Sequence, residues 1–182
     1  MSFKKWSIAL LLLVGLCPMV FGWECQNGFS ICTANGNQFT PKITSDGMGG
    51  AIITWVDYRN GTDYDIYAQG IDNEGVVRWV DDGILIAGGT GFQDLPQIVM
   101  DNSYGAYIMW MDNDDGFKSY LQRVNWIGDL QYPTPMYICS SDAPYIVEDG
   151  VGGAFIVWSS GFMEGDIYMQ ALSWENNLLY GE

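Results

Sequence analysis

The sequence predicts an all-β fold in which a four-stranded antiparallel unit occurs three times. Three observations support this expectation. Proline, tryptophan and tyrosine motifs recur 48 residues apart between the second and third units, and the first and second tryptophans are 55 residues apart. The second strand of each unit is apolar on both faces, and no segment beyond the N-terminal apolar run has helical periodicity. Of the 182 residues, 48% are hydrophobic and 15% aromatic, which suits a packed core and argues against disorder.

The repeat is defined by four kinds of aligned position. Each unit has a proline at its first strand, an aspartate after it, a tryptophan in the second strand and a Tyr-x-Gln motif in the third. The aligned residues are Pro41, Pro96 and Pro144; Asp46, Asp101 and Asp149; Trp55, Trp110 and Trp158; Tyr67, Tyr120 and Tyr168; and Gln69, Gln122 and Gln170. The extra residues between the first two units fall in loops, which is typical of a repeated structural unit.

Turn chemistry divides the first unit into its strands. Asp-Gly, Gly-Gly, Asn-Gly and Glu-Gly pairs separate predicted strands at 41–45, 51–57, 65–71 and 76–79, the last continued at 83–86. A proline opens the first strand, where its missing N–H costs no ladder hydrogen bond.

The second strand indicates how the units associate. Ala51, Ile53 and Trp55 share one face, and Ile52 and Val56 share the other, so this strand is expected to be buried on both sides. Radially stacked four-stranded sheets bury both faces of their inner strands, and the repeat therefore favours a β-propeller-like fold. A β-sandwich is the alternative, but it does not explain the period.

The chain is expected to divide into a leader and a repeat segment. Residues 1–22 have two lysines followed by an apolar run, 8–16, and are interpreted as a secretory signal peptide. The alternative is a lipoprotein modified at Cys17. The mature chain, 23–182, is then expected to be secreted or exposed at the cell surface, with no membrane span.

Within the mature chain the repeats are placed at about 38–87, 93–139 and 141–182, with 23–37 as a preceding strand. Propellers usually close with four to eight blades, so three four-stranded blades predict an incomplete ring. We expect the chain to be a fragment of a longer product. The alternative is that two chains pair into a six-bladed ring. The predicted partners of the fold are therefore the remaining blades or a second copy of the chain.

Charge excludes some functions and favours others. The chain has 7 Lys plus Arg, 22 Asp plus Glu and no His, with a net charge of −15. Nucleic-acid binding is not expected, because phosphate recognition needs clustered basic residues. Histidine-dependent catalysis is excluded. An acidic surface favours cations or neutral sugars over anionic partners.

The segments 49–59 (GGAIITWVDYR) and 65–69 (DIYAQ), followed by Trp79, resemble the propeller repeats of large secreted bacterial proteins. Many of those proteins end in a C-terminal sorting domain, and no such domain follows Glu182, as expected of a fragment. The repeats are also broadly similar to sialidase-like propellers. However, Ser45-Asp46-Gly47 of this chain matches the Asp-box motif of those propellers only in part. The resemblance implies a secreted propeller and assigns no activity.

One loop has the composition of a calcium site. Asp112, Asp114 and Asp115 precede Gly116, and Ca²⁺ prefers such clustered hard oxygen ligands. The bidentate acid of a full EF-hand loop is missing, so an Asx-rich hairpin turn is the favoured interpretation. No other cofactor is expected.

The remaining candidates each have a structural alternative that we favour. The repeated tryptophans suit core packing better than a sugar platform, and the repeated glutamines suit buried amides better than a channel lining. Cys25 and Cys32 are close enough in sequence for a disulfide. However, Cys32 and Cys139 share a repeat position with Ala87, which favours buried free thiols.

The sequence therefore predicts a non-enzymatic module that binds an unidentified protein or glycan, with no catalytic residue assigned. Loops 59–64, 88–93 and 112–118 differ between repeats and are the expected binding surface. The alternative function is a glycan-acting hydrolase. A sialidase-type site is disfavoured because the three arginines of the mature chain occupy non-equivalent repeat positions, whereas a mechanism with two carboxylates would need only a suitable pair of acids.

Overall fold

The structure is a computed structural model that describes residues 28–114, 116–141, 144–161 and 165–179. The predicted signal peptide 1–22, Cys17, Cys25 and Asp115 lie outside the described residues.

The described residues form three antiparallel sheets and no helix. Sheet 1 contains β1 (Gln38–Ser45), β2 (Ala51–Asp57), β3 (Asp65–Ile71) and β4 (Ile84–Ala87). Sheet 2 contains β5 (Gln93–Met100), β6 (Ala106–Asp112), β7 (Lys118–Val124) and β8 (Met136–Cys139). Sheet 3 contains β9 (Tyr145–Glu148), β10 (Ala154–Ser159) and β11 (Ile167–Leu172). The all-β, incomplete propeller-like fold is confirmed.

Sheet 3 has three strands in the described residues, not the predicted four.

Two predicted strand positions in sheet 1 need correction. The first strand begins at Gln38 rather than residue 41, because a bulge between Phe39 and Lys42 lets its first two residues pair with the end of β2. Residues 76–79 form no strand, and the fourth strand is β4 alone. An isolated bridge between Val77 and Ile71 ties this segment to β3, and the Arg78 N–H donates to the Gly70 carbonyl at 2.7 Å. The Gln69 side chain adds contacts with the backbone N–H of Trp79 and the carbonyl of Val80.

The segment 28–37 is not the predicted strand, yet it takes the place of one. Ile31 and Cys32 pack against Ile53 and Trp55 on the outer face of sheet 1. Ile86 and Ala87 of β4 pack in the same way against Ile108 and Trp110 of sheet 2. The segment therefore occupies the position that the fourth strand of a preceding sheet would occupy.

The core lies between the sheets. Between sheets 1 and 2 it includes Ile52, Val56, Ile66, Ala68, Ile86, Ala106, Ile108 and Trp110. Between sheets 2 and 3 it includes Tyr107, Met109, Leu121, Ile138, Ala154, Ile156 and Leu172. Strands β2 and β6 are buried on both faces, as their doubly apolar pattern predicts.

Each first hairpin is closed by the same aspartate–glycine contact. The Oδ1 atoms of the repeated aspartates accept hydrogen bonds from the N–H groups of the second turn glycines at 2.8–2.9 Å. A Cβ at these glycines would lie 2.1–2.2 Å from a backbone oxygen of the neighbouring third strand. The pairs are Asp46 and Gly50, Asp101 and Gly105, and Asp149 and Gly153. The repeated glycine is thus required by close backbone approach.

The outer face of sheet 3 is open. Its residues Phe155, Val157 and Met169 are 41%, 37% and 52% exposed. The equivalent residues of sheet 2 are Tyr107, Met109 and Leu121, and each is at most 1% exposed because sheet 3 covers it. Sheets 1 and 2 bury the equivalent apolar face against the next sheet, whereas sheet 3 exposes it.

Residues 28–114, 116–141, 144–161 and 165–179 include no helix that is long and apolar enough to cross a membrane.

A matched pair of substitutions tests this packing order. Met109→Asp places a carboxylate in the interface between sheets 2 and 3 and should lower the free energy of unfolding by at least about 3 kcal/mol. Val157→Asp, at the equivalent position of the open face, should change it by less than about 1 kcal/mol. Urea denaturation followed by tryptophan fluorescence measures both. Equal losses would mean that the face of sheet 3 is covered.

Candidate functional site

The repeated glutamines tie the segment after the third strand to that strand. Gln69 Nε2 donates to the Val80 carbonyl at 2.8 Å, and its Oε1 accepts from the N–H groups of Gly70 and Trp79 at 3.0 Å. Gln122 makes the equivalent contacts with Tyr132 and Arg123 at 2.9–3.0 Å. These two amides are buried and structural, as predicted, rather than a channel lining.

The repeated tryptophans stack on the repeated tyrosines. The ring centroids of Trp55 and Tyr67 are 6.4 Å apart, and the equivalent rings of sheets 2 and 3 are 6.3 Å and 5.9 Å apart. Trp55 and Trp110 are at most 4% exposed and belong to the inter-sheet clusters. Core packing therefore accounts for them.

The arginines of the described residues do not converge on one site. Arg78 Nη1 lies 2.9 Å from Asp46 Oδ2, and Arg123 Nε lies 2.8 Å from Asp101 Oδ2. These aspartates are equivalent, whereas the arginines come from different positions, one after β3 and one on β7. A Cβ at Gly70, the position equivalent to Arg123, would lie 3.1 Å from Arg78 Nε, so glycine leaves room for this arginine. The sequence alignment did not show that the equivalent aspartates are paired with arginines from two different repeat positions.

Arg59 forms a third pair in the loop between β2 and β3. Its Nη2 lies 2.7 Å from Asp57 Oδ2, which also accepts a hydrogen bond from Trp55 Nε1 at 2.8 Å. Burial alone would raise the pKa of Asp57, but the hydrogen bonds from Arg59 and Trp55 outweigh it and hold that pKa below its usual value. Asp57 is therefore a buried carboxylate held charged by its donors.

The predicted calcium loop is occupied by internal hydrogen bonds. Asp112 Oδ1 accepts from the N–H of Asp114 at 2.9 Å, and Asp114 Oδ2 accepts from Thr90 Oγ1 at 2.7 Å. Within the described residues no group of three or more His, Cys, Asp or Glu side chains is placed to hold a metal ion. Asp115 is outside these residues, so calcium binding stays a prediction. The observed contacts are those of an Asx-type turn.

The three loops that vary between repeats meet at one end of the sheets. The rings of Tyr64 and Phe92 have centroids 4.7 Å apart, and Asn113 Oδ1 accepts from the N–H of Phe92 at 2.8 Å. These contacts bring segment 88–93 against both neighbouring loops. Whether this end binds a partner stays a prediction.

The described cysteines are free thiols. Cys139 is buried, and burial raises its pKa to about 11. Cys32 is partly exposed, and burial raises its pKa as well.

A groove of about 450 Å³ lies along the first strands of the three sheets, and we call it the inner groove. Its lining residues are Thr40, Lys42, Ile43, Leu95, Pro96, Gln97, Ile98, Met109, Trp110, Met111, Pro144, Tyr145 and Ile146. The Gln97 side chain joins β5 to the third repeat by donating to the Pro144 carbonyl and accepting from the Ile146 N–H at 3.2 Å. None of the described lining residues is an acid, and Lys42 is the charged one among them.

Comparison with known proteins gives one likeness of fold. No protein-family model and no curated protein sequence matches this chain. The crystal structure of endo-arabinase from Bacteroides thetaiotaomicron VPI-5482 aligns with a TM-score of 0.48 and 14% sequence identity. The alignment covers 78% of this chain and 58% of that one, so this chain spans less than two thirds of that protein.

The Arg59–Asp57 pair predicts an acid-dependent stability. Because the folded-state pKa of Asp57 is lowered, its contribution is complete above the ordinary aspartate pKa of about 3.9 and is lost as pH falls through the lower, folded value. Asp57→Asn should lower the free energy of unfolding at pH 7 by about 1–3 kcal/mol. The deficit should shrink as the pH falls below about 4. Urea denaturation across this range checks it, with the exposed Asp81→Asn as control.

Proposed function

We propose that this chain is a non-enzymatic binding segment, secreted or exposed at the cell surface, whose inner groove holds a neutral glycan chain. The observation that carries the proposal is the groove itself. It is lined by residues of all three repeats, and it combines an apolar lining with a few polar groups, which is typical of ligand sites.

Tyr145 supports a glycan ligand in particular. Its ring is 69% exposed at the groove, and an exposed aromatic face suits the C–H surfaces of a sugar. Lys42 supplies N–H donors for hydroxyl oxygens. The acidic surface of the chain disfavours anionic polymers and leaves neutral ones unaffected.

The groove lacks the groups that glycoside hydrolysis needs. Hydrolysis usually requires two carboxylates about 5–10 Å apart around the scissile bond, and the described groove residues include none. Binding without turnover is therefore the function this groove supports. The N-terminal leader motif supports a role outside the cell.

Affinity electrophoresis in gels containing xylan, galactomannan or mixed-linkage β-glucan tests the proposal. We expect at least one of these polymers to retard the protein, and we expect Tyr145→Ala to weaken the retardation about tenfold or more. Tyr137→Ala is the matched control, because Tyr137 is 47% exposed on β8 away from the groove. Absence of retardation by all three polymers, or an equal loss in both variants, would contradict the proposal.

Glycan hydrolysis is the second candidate function, and one pair of acids favours it. Asp57 and Asp65 are cross-strand partners at the ends of β2 and β3, where opposite Cβ atoms lie about 4.5–5.5 Å apart. Burial and the nearby Asp63 raise the pKa of Asp65, while that of Asp57 is lowered. Two neighbouring carboxyl groups whose pKa values shift in opposite directions are typical of a general acid and its partner carboxylate in a glycosidase. However, Asp65 is only 7% exposed and Asp57 is 0% exposed, which opposes contact with substrate.

A reducing-end assay on the same three polysaccharides tests this candidate. If Asp65 is the acid, the protein should release new reducing ends, and Asp65→Asn should lower the rate at least about 100-fold. The exposed Asp81→Asn should leave the rate unchanged. No release by the unmodified protein, or equal rates in the Asp65 variant, would dismiss the candidate.

A further inference from the structure

A second cleft lies between β4 of sheet 1 and the Trp110 face of sheet 2, and we call it the Tyr120 cleft. It has a volume of about 410 Å³. The lining residues that matter here are Ala87, Gln93, Trp110, Asp112, Tyr120 and Thr134. The Tyr120 cleft is distinct from the inner groove except for the shared Trp110, which is 2% exposed.

The first repeat fills its own copy of this cleft with an arginine. The Arg59 guanidinium carbon lies 3.7 Å from the centroid of the Tyr67 ring. Its Nη2 contacts Asp57 Oδ2 at 2.7 Å, the Asp82 carbonyl at 2.8 Å and Cys32 Sγ at 3.5 Å. One cation is thus held by a carboxylate, a carbonyl, a sulfur and an aromatic face.

The four residues that contact the Arg59 guanidinium each have an equivalent that lines the Tyr120 cleft. The strand registers align Asp57 with Asp112, Tyr67 with Tyr120 and Asp82 with Thr134. Cys32 and Ala87 occupy equivalent places in the packing against sheets 1 and 2. The residue aligned with Arg59 is Asp114, whose carboxylate binds Thr90 Oγ1 in the neighbouring loop. The second repeat therefore keeps the surroundings of the guanidinium but has no arginine at that position.

Gln93 gives independent evidence that a donor is missing. This residue is 2% exposed and lines the cleft. Its Nε2 donates to Asp112 Oδ2 and to the Thr90 carbonyl, both at 3.3 Å, but its buried Oε1 has no hydrogen-bond partner. A buried acceptor without a donor is costly, and a ligand N–H would satisfy it.

We propose that the Tyr120 cleft binds the guanidinium group of a ligand, such as an arginine side chain of a partner peptide. The cleft offers a carboxylate, an amide oxygen and an aromatic ring, and a planar cation with five N–H donors matches this set. The third repeat has Ser160 at the position of Asp112, so it lacks the carboxylate.

Lys118 competes with this ligand. It is the cross-strand partner of Asp112 and lines an adjoining recess of about 130 Å³ with Asp114 and Tyr120. The first repeat has Asp65 at this position. The positive charge weakens the attraction of the cleft for a cation, so Lys118→Met should raise the affinity several-fold.

Titration with N-acetyl-L-arginine methylamide, followed by NMR of the tryptophan indole N–H groups, tests the proposal. The matched probe is the citrulline analogue, which has the same shape without the charge. We expect the arginine probe to shift the Trp110 signal and the citrulline probe to bind at least about tenfold more weakly. Equal affinities, or no saturable shift with the arginine probe, would overturn the proposal.

Two variants use the repeat itself as the control. Asp114→Arg should fill the cleft from within, so that it abolishes probe binding and raises the melting temperature. Arg59→Ala should vacate the equivalent place in the first repeat and create a second probe site near Trp55. Both variants must unfold cooperatively in the thermal scan. Unchanged probe affinity in a folded Asp114→Arg protein would overturn the proposal, whatever the glycan experiments show.

Discussion

Face-to-face packing of neighbouring sheets is the constraint on which the rest of this structure depends. A single four-stranded sheet with apolar residues on both sides of its second strand cannot be stable alone in water, because both faces need cover. Sheet 2 obtains it from sheets 1 and 3, and Tyr107, Ile108 and Met109 are consequently at most 1% exposed. The outer sheets have cover on one face only, apart from the 28–37 segment that shields part of sheet 1.

Polar groups fix the geometry within which this packing occurs. The repeated aspartates and glycines set the first hairpins, and the buried glutamines hold the segment after each third strand. Between sheets 2 and 3, Asn176 Oδ1 accepts hydrogen bonds from Tyr132, Tyr107 and Arg123 at 3.0–3.3 Å. These contacts are satisfied internally, which explains why these regular residues of the repeat are structural.

The sequence predicted strands β2 and β3 at their observed bounds, because a doubly apolar strand followed by a turn is a strong local signal. It also predicted the roles of Gln69 and Trp55. It failed at residues 76–79, where one isolated bridge and a side-chain amide stand in place of a full strand. It also failed at the open face of sheet 3, because equivalent residues have the same apolar pattern whether or not a neighbouring sheet covers them. The Tyr120 cleft depends on a comparison of contacts between repeats: Arg59 and Asp114 align, but only the structure shows what the arginine touches.

Hydrogen exchange of individual strand amides, measured by NMR, tests the central claim most directly. If stability comes from sheets that cover one another, amides of β6 should be the most protected, and those of β10 should exchange faster because one face of that strand is open. Protection of β10 equal to that of β6 in the isolated chain would contradict the account. It would mean that the outer face of sheet 3 is covered, or that the sheets do not depend on their neighbours.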